Sequence, residues 1–134
     1  MEGPIANLEQ INEIFQVDSV YDVMKRLESA NTEFSAATLE TLGRMSPLSL
    51  AVVFEQIKRG RTMNLHDCFE MEFKMTQGFT EHGEFYEGVR ALLVDKDRNP
   101  KWAHKSVHDV KPEEVDWFFT RPATLNLDIA KYEC

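Results

Sequence analysis

Residues 46–60 read Ser-Pro-Leu-Ser-Leu-Ala-Val-Val-Phe-Glu-Gln-Ile-Lys-Arg-Gly, and they carry every signal a helix needs. Ser46 offers a hydroxyl to the unpaired N–H groups of the first turn, and Pro47 sits at the first helical position, where its missing N–H costs nothing. Leu50, Val53, Phe54 and Ile57 then recur at steps of three and four residues, and Gly60 stops the run. Lys58, Arg59 and Arg61 gather at the C-terminal end, where cations complement the helix dipole. Leu48 and Val52 place further apolar side chains off that stripe. A helix wetted on one side does not need them, so this element is expected to pack against more than one neighbour.

The same spacing recurs on both sides. Ile5, Leu8, Ile11 and Phe15 predict a first amphipathic helix, interrupted by Asp18 and Ser19. Ser19 followed by Asp22 resembles a capping box, opening a second helix with Val20, Val23, Met24 and Leu27 on its apolar face. Ser35 is expected to cap a third, carrying Leu39, Leu42 and Met45, with Gly43 weakening its last turn. Beyond Gly60, Leu65, Phe69, Phe73 and Phe79 mark a fifth helix, widened by Cys68, Met71 and Met75. A sixth runs from about Glu84 through Leu93. Residues 95–100 form a charged turn ending at Pro100, and Lys111-Pro112-Glu113-Glu114 starts a last short helix with Val115, Phe118 and Phe119. No alternating strand pattern of useful length occurs. The fold expected is all-α, about six to seven helices in one segment over residues 1–134.

Composition agrees with a folded segment. Hydrophobic residues are 43% and charged residues 28% of the 134, near the averages for globular domains and far from a disordered composition. A chain this long can bury roughly two thirds of its unfolded surface in one core. The net charge of −8, from 23 acidic and 15 basic side chains, repels nucleic acid and anionic membrane surfaces, so neither is an expected partner. A phosphate-bearing ligand would need a local basic patch. No apolar run is long enough to span a bilayer, and Met-Glu-Gly-Pro at the start is neither a signal nor a transit peptide, which places any targeting segment upstream. Cys68 and Cys134 suggest no disulfide framework and fit a reducing compartment.

A search for chemistry finds no complete site. His66 and Glu70 share a helix face, within the dense run His66-Asp67-Cys68-Phe69-Glu70-Met71-Glu72. Acidic residues near a helix start are ordinary dipole partners, and no metal site is expected. Cys68 lacks a base, since His66 projects from another part of the helix, and reads as core filler. Glu113 and Glu114 are adjacent and diverge, which disfavours a general acid/base pair. The Phe69–Phe79 stripe reads as core. Two basic clusters could meet a phosphate: Lys58-Arg59-Gly60-Arg61, and Lys96 with Arg98 and Lys101. Glycine-rich phosphate loops, Gly-x-Ser-x-Gly elbows and Cys-x-x-Cys pairs are absent.

Residues 87–102, Glu-Gly-Val-Arg-Ala-Leu-Leu-Val-Asp-Lys-Asp-Arg-Asn-Pro-Lys-Trp, closely resemble the C-terminal motif of 3-hydroxyisobutyryl-CoA hydrolases of the crotonase superfamily. Met45-Ser46-Pro47-Leu48-Ser49-Leu50 and Glu70-Met71-Glu72-Phe73 resemble two further elements of that family, with Phe73 where tyrosine is usual. The similarity runs from the first helix to about Phe119 and maps to the C-terminal third of such an enzyme. It implies a helical region that follows a spiral core of parallel strands, the core itself being absent from these residues, so Met1 would not be the native start. Catalytic carboxylates and the backbone N–H pair of the oxyanion hole belong to that core, and no catalytic residue is carried over. The resemblance implies an acyl-CoA substrate in the complete enzyme, no cofactor apart from the coenzyme A of the substrate, valine catabolism, and a mitochondrial matrix setting. It also matches Lys96 to a lysine that contacts the adenine nucleotide end of coenzyme A. Self-association through the apolar helix faces is expected, by exchange of helices between copies. Two other readings stay open: a hydratase or isomerase of the same superfamily, and a non-enzymatic helical interaction module.

Overall fold

The computed structural model describes residues 7–122, and Ile5 and Cys134 lie outside them. Seven α-helices follow in order: α1 (Leu8–Phe15), α2 (Val20–Ala30), α3 (Glu33–Leu42), α4 (Pro47–Gly60), α5 (Leu65–His82), α6 (Glu84–Val89) and α7 (Pro112–Thr120). A π-helical turn, Arg90–Val94, continues α6, and a 3-10 turn spans Val107–Asp109. Among the described residues there is no strand. The all-helical expectation holds, and no described helix is long and apolar enough to cross a membrane.

The helix starts follow the capping chemistry, with one displacement. Ser46 Oγ accepts the Ser49 N–H at 3.1 Å, and Ser19 Oγ accepts that of Asp22 at 3.2 Å. The third helix is capped by Thr32 and not by Ser35. Thr32 is extended (φ −109°, ψ 163°), its Oγ1 accepts the Ser35 N–H at 3.1 Å, and Ser35 Oγ returns the bond by accepting the Thr32 N–H at 2.9 Å. Ser35 is therefore the third-residue partner of the box, and the helix starts earlier than its own hydroxyl suggests.

Two apolar clusters hold the helices together. Leu48 and Val52 of α4, Met71 and Met75 of α5, and Phe118 and Phe119 of α7 form the first. Ile14, Val23 and Leu27 form the second, with Phe34, Leu39, Leu42 and Phe54 packed against it. Several predicted stripes are rotated. In α4 Leu48 and Val52 are buried along with Pro47, while Val53 and Ile57 are exposed; in α1 Ile14 is buried and Leu8 exposed. In α5 Met71 and Met75 are buried and Phe69 is exposed, so that part of the expected phenylalanine core faces outward. These helices carry apolar residues on more than one face, and spacing alone does not say which face meets a neighbour.

Phe118 is the keystone of the first cluster, fully buried with its ring 4.6 Å from Phe79 and 5.1 Å from Trp117. It lies against the bare backbone of Gly78, where a Cβ would stand 2.7 Å from Phe118 Cδ1. Charged side chains strap the outside. Arg59 pairs with Glu55 at 2.7 Å and Asp116 at 2.8 Å while lying over the Phe119 ring, which joins α4 to α7. Buried Arg121 pairs with Glu81 and stacks on Trp117.

Candidate functional site

Gly83, at φ +92°, ends α5 and begins α6 in one residue, a left-handed turn that favours glycine. It aims Glu84 inward. Glu84 is buried, accepts the Ser46 hydroxyl through Oε2, and accepts the Ala103 N–H through Oε1 at 3.0 Å. One carboxylate thus ties the start of α4 to the start of α6 and to the loop returning past residue 102. Trp102 closes the same junction, donating through Nε1 to the Arg44 carbonyl at 3.3 Å and lying against Gly88.

At the far end of α6, Arg90 gathers the following loop. Its Nε and Nη2 donate to the two Glu87 oxygens at 2.9 and 2.8 Å, and Nη1 donates to Asp95 at 2.6 Å and Asp97 at 2.7 Å. Nη2 also reaches the Asn99 carbonyl at 3.2 Å. The backbone is stitched in parallel: the Asp95 N–H meets the Arg90 carbonyl at 2.8 Å, and the Arg98 N–H meets that of Ala91 at 3.0 Å. Lys96 (φ 56°) and Arg98 (φ 53°) adopt left-handed backbone on either side of Asp97. The loop sorts its charges by this alternation. Acidic Asp95 and Asp97 turn to Arg90, whereas Lys96 and Arg98 are exposed and, among the described residues, hold no ion pair.

The electrostatics follow. The Arg90 hydrogen bonds, and then the Lys101 N–H at 2.6 Å, hold the Glu87 carboxyl at about 2, below its ordinary 4.5. Asp97 is lowered by Arg90 and then by the Asn99 N–H, and Arg90 is raised by Glu87, Asp97 and Asp95. A carboxylate whose folded value is depressed stabilises the loop fully above its ordinary value and loses that contribution as pH falls through the depressed one. The Lys101 amide resonance should therefore titrate near pH 2 in an acid series followed by NMR. A midpoint near 4.5 would mean that the Glu87–Arg90 contact is not formed.

The remaining sequence candidates fall elsewhere. Atoms of His66, Asp67 and Glu70 lie within 4.8 Å of one another, all exposed in the first two turns of α5. Asp67, which spacing arguments passed over, is the third member; its Oδ2 accepts Asn64 Nδ2 at 2.9 Å and its N–H donates to Asn64 Oδ1, a capping arrangement. Cys68 is half-buried beside Gly60. Glu114 accepts the Lys111 N–H at 3.0 Å and meets His104 Nε2 at 3.1 Å, while Glu113 is exposed; the two carboxylates serve different ends. Of the first basic cluster, Arg59 is engaged as a strap and Lys58 donates to the Asp18 carbonyl at 3.2 Å. The second cluster, around Lys96, keeps its cations outward. Sequence reasoning missed Glu84 and Arg90, although both lie in or beside the quoted motif; for Glu84 the available signal was its place directly after Gly83.

Comparison with known proteins bears on the same residues. A model of the enoyl-CoA hydratase/isomerase family matches residues 2–119. The mitochondrial 3-hydroxyisobutyryl-CoA hydrolase of Dictyostelium discoideum is 45% identical over 125 residues, covering 92% of this chain and 32% of that protein. The Gallus gallus protein of the same name is 38% identical over 110 residues, covering 82% and 29%. A crystal structure of an enoyl-CoA hydratase from Rhodobacter sphaeroides 2.4.1 superposes with a TM-score of 0.82 at 32% identity, covering 90% of this chain and 36% of that one. The chain spans about a third of the length of the curated relatives it matches.

Proposed function

This chain belongs to the enoyl-CoA hydratase/isomerase family, and from that membership we propose that it is the helical part of a longer acyl-CoA thioester hydrolase converting 3-hydroxyisobutyryl-CoA to 3-hydroxyisobutyrate and free coenzyme A. The observation that carries this reading is the agreement of the curated relatives, which bear that hydrolase name at 45% and 38% identity. Their names also support a mitochondrial setting, and we propose a place in valine breakdown for the same reaction.

In the complete enzyme, either a carboxylate takes a proton from the water that attacks the thioester carbonyl, or the carboxylate itself attacks and water then hydrolyses the resulting anhydride. The developing oxyanion is held by backbone N–H groups, the C–S bond breaks, and the thiolate takes up a proton. Those groups belong to the strand-containing core of the family and not to the helices described here. This chain supplies a wall and a contact for the nucleotide end of the substrate. Lys96 is the contact: it points outward beside Arg98 from a loop whose acids are turned away, a point charge suited to a phosphate in a chain that is otherwise strongly acidic. The wall is the apolar surface. Ile57, Leu65, Leu92, Leu93 and Val94 stand between 62% and 72% exposed, which supports packing against the core, and against a second copy, better than life in water.

The alternative within the family is an enoyl-CoA hydratase, the activity named for the Rhodobacter sphaeroides structure. Thiol release from 3-hydroxyisobutyryl-CoA, run beside hydration of an enoyl-CoA on the longer protein, separates the two. We expect thiol release to dominate. Water addition without thiol release would replace the hydrolase by the hydratase.

A further inference from the structure

Resting on the reading that Lys96 meets a coenzyme A phosphate, we infer that Arg90 is the positioning residue that keeps Lys96 available to it. A guanidinium has five N–H donors. Here all five are used: two anchor Arg90 to Glu87 in α6, and three reach Asp95, Asp97 and the Asn99 carbonyl on the loop that carries the lysine. Residues 87–101 hold three acids, Glu87, Asp95 and Asp97, against Arg90, Lys96, Arg98 and Lys101. One positive charge is in excess, and what the loop presents depends on which groups pair with which.

Arg90 decides the pairing. By drawing Asp95 and Asp97 to one side it denies them to Lys96 and Arg98, which would otherwise be neutralised by neighbours one residue away in the chain. The left-handed backbone at Lys96 and Arg98 is the geometric counterpart, since it is what lets acids and bases leave the loop in opposite directions. The π-turn fixes where the loop starts, because the Asp95 N–H closes on the carbonyl of Arg90 itself. A lysine at position 90 would keep the charge but has three donors and no planar fork, so it cannot hold the three carboxylates and the carbonyl together.

The test uses the longer enzyme with two thioesters of the same acyl group, one on coenzyme A and one on pantetheine, which lacks the nucleotide phosphates. Arg90→Lys is expected to raise KM for the coenzyme A ester about tenfold, the size of one charge-assisted hydrogen bond, with kcat unchanged and no effect on the pantetheine ester. Lys96→Ala is expected to give the same signature, and the double variant to be no worse than Lys96→Ala. Should Arg90→Lys fail to fold, Arg90→Gln, whose two side-chain N–H donors cannot hold both Asp95 and Asp97 and so leave an acid free to turn on Lys96, is expected to show a shift of the same kind. Equal losses on both thioesters, or a fall in kcat, would make Arg90 a merely structural residue and overturn the inference. So would an unaltered Arg90→Lys enzyme beside an impaired Lys96→Ala one. A silent Lys96→Ala would instead remove the phosphate contact on which the inference stands.

Discussion

Phe118→Ala is expected to lower the unfolding free energy of this chain by about 3–5 kcal/mol, the range for a large aromatic deleted from a packed core. Phe118 has no exposed surface, touches Phe79 and Trp117, and fills the notch left by Gly78, so the void has few side chains free to collapse into it. Against a typical total of about 5–15 kcal/mol, most of the stability would go. The notch supplies the control. Gly78→Ala alone sets a methyl 2.7 Å from the Phe118 ring and should cost about 1–3 kcal/mol by overpacking. Combined with Phe118→Ala it should cost less than the two summed, because the methyl enters the space the ring vacates. Additive losses by urea denaturation would show that the two residues do not share that space.

Glu84→Leu is the second large effect. It removes the acceptor of the Ser46 hydroxyl and of the Ala103 N–H together. The Ser46 hydroxyl, left buried without a partner, costs about 1–3 kcal/mol, and the Ala103 N–H, on an exposed residue that water can reach, adds less. Glu84→Gln keeps one oxygen for one of them and should lose distinctly less. Hydrogen exchange should locate the damage: faster exchange at Ala103 and in the first turn of α4, with α2 and α3 unaffected. Uniform acceleration across the chain, or a Glu84→Leu protein as stable as the parent, would mean that this carboxylate does not join the three segments.

Some of this architecture is legible in the residues and some is not, for identifiable reasons. Helix boundaries are written in local chemistry, and Ser46-Pro47, Ser19 with Asp22, and Pro112 all sit where capping rules put them. Gly60 does not act as the expected stop: it is the last residue inside α4, and Arg61, in right-handed backbone, is the cap. Thr32 was obscured because Ser35 could cap equally well by type, and only the extended backbone at Thr32 decides between them. Burial was read less faithfully. Val53 and Ile57 lie on a regular stripe yet face outward, whereas Leu48 and Val52 meet Phe118 and Phe119, because the choice of face is made by partners distant in the chain. The motif at 87–102 carried the family resemblance, but its physics needed coordinates. Glu87, Arg90, Asp95 and Asp97 look like a solvated charge run until the π-turn and two left-handed residues fold them onto one guanidinium. Lys96 was reached through resemblance, and the geometry adds why its neighbours leave it unpaired.

We propose that these helices are one part of a thioester hydrolase whose reacting groups lie in another. Thiol release from 3-hydroxyisobutyryl-CoA, measured for this chain alone and for the longer protein under the same conditions, decides it. Turnover is expected from the longer protein and none from the 134-residue chain. Turnover by the chain alone, or a longer protein inert toward the thioester, would overturn the proposal.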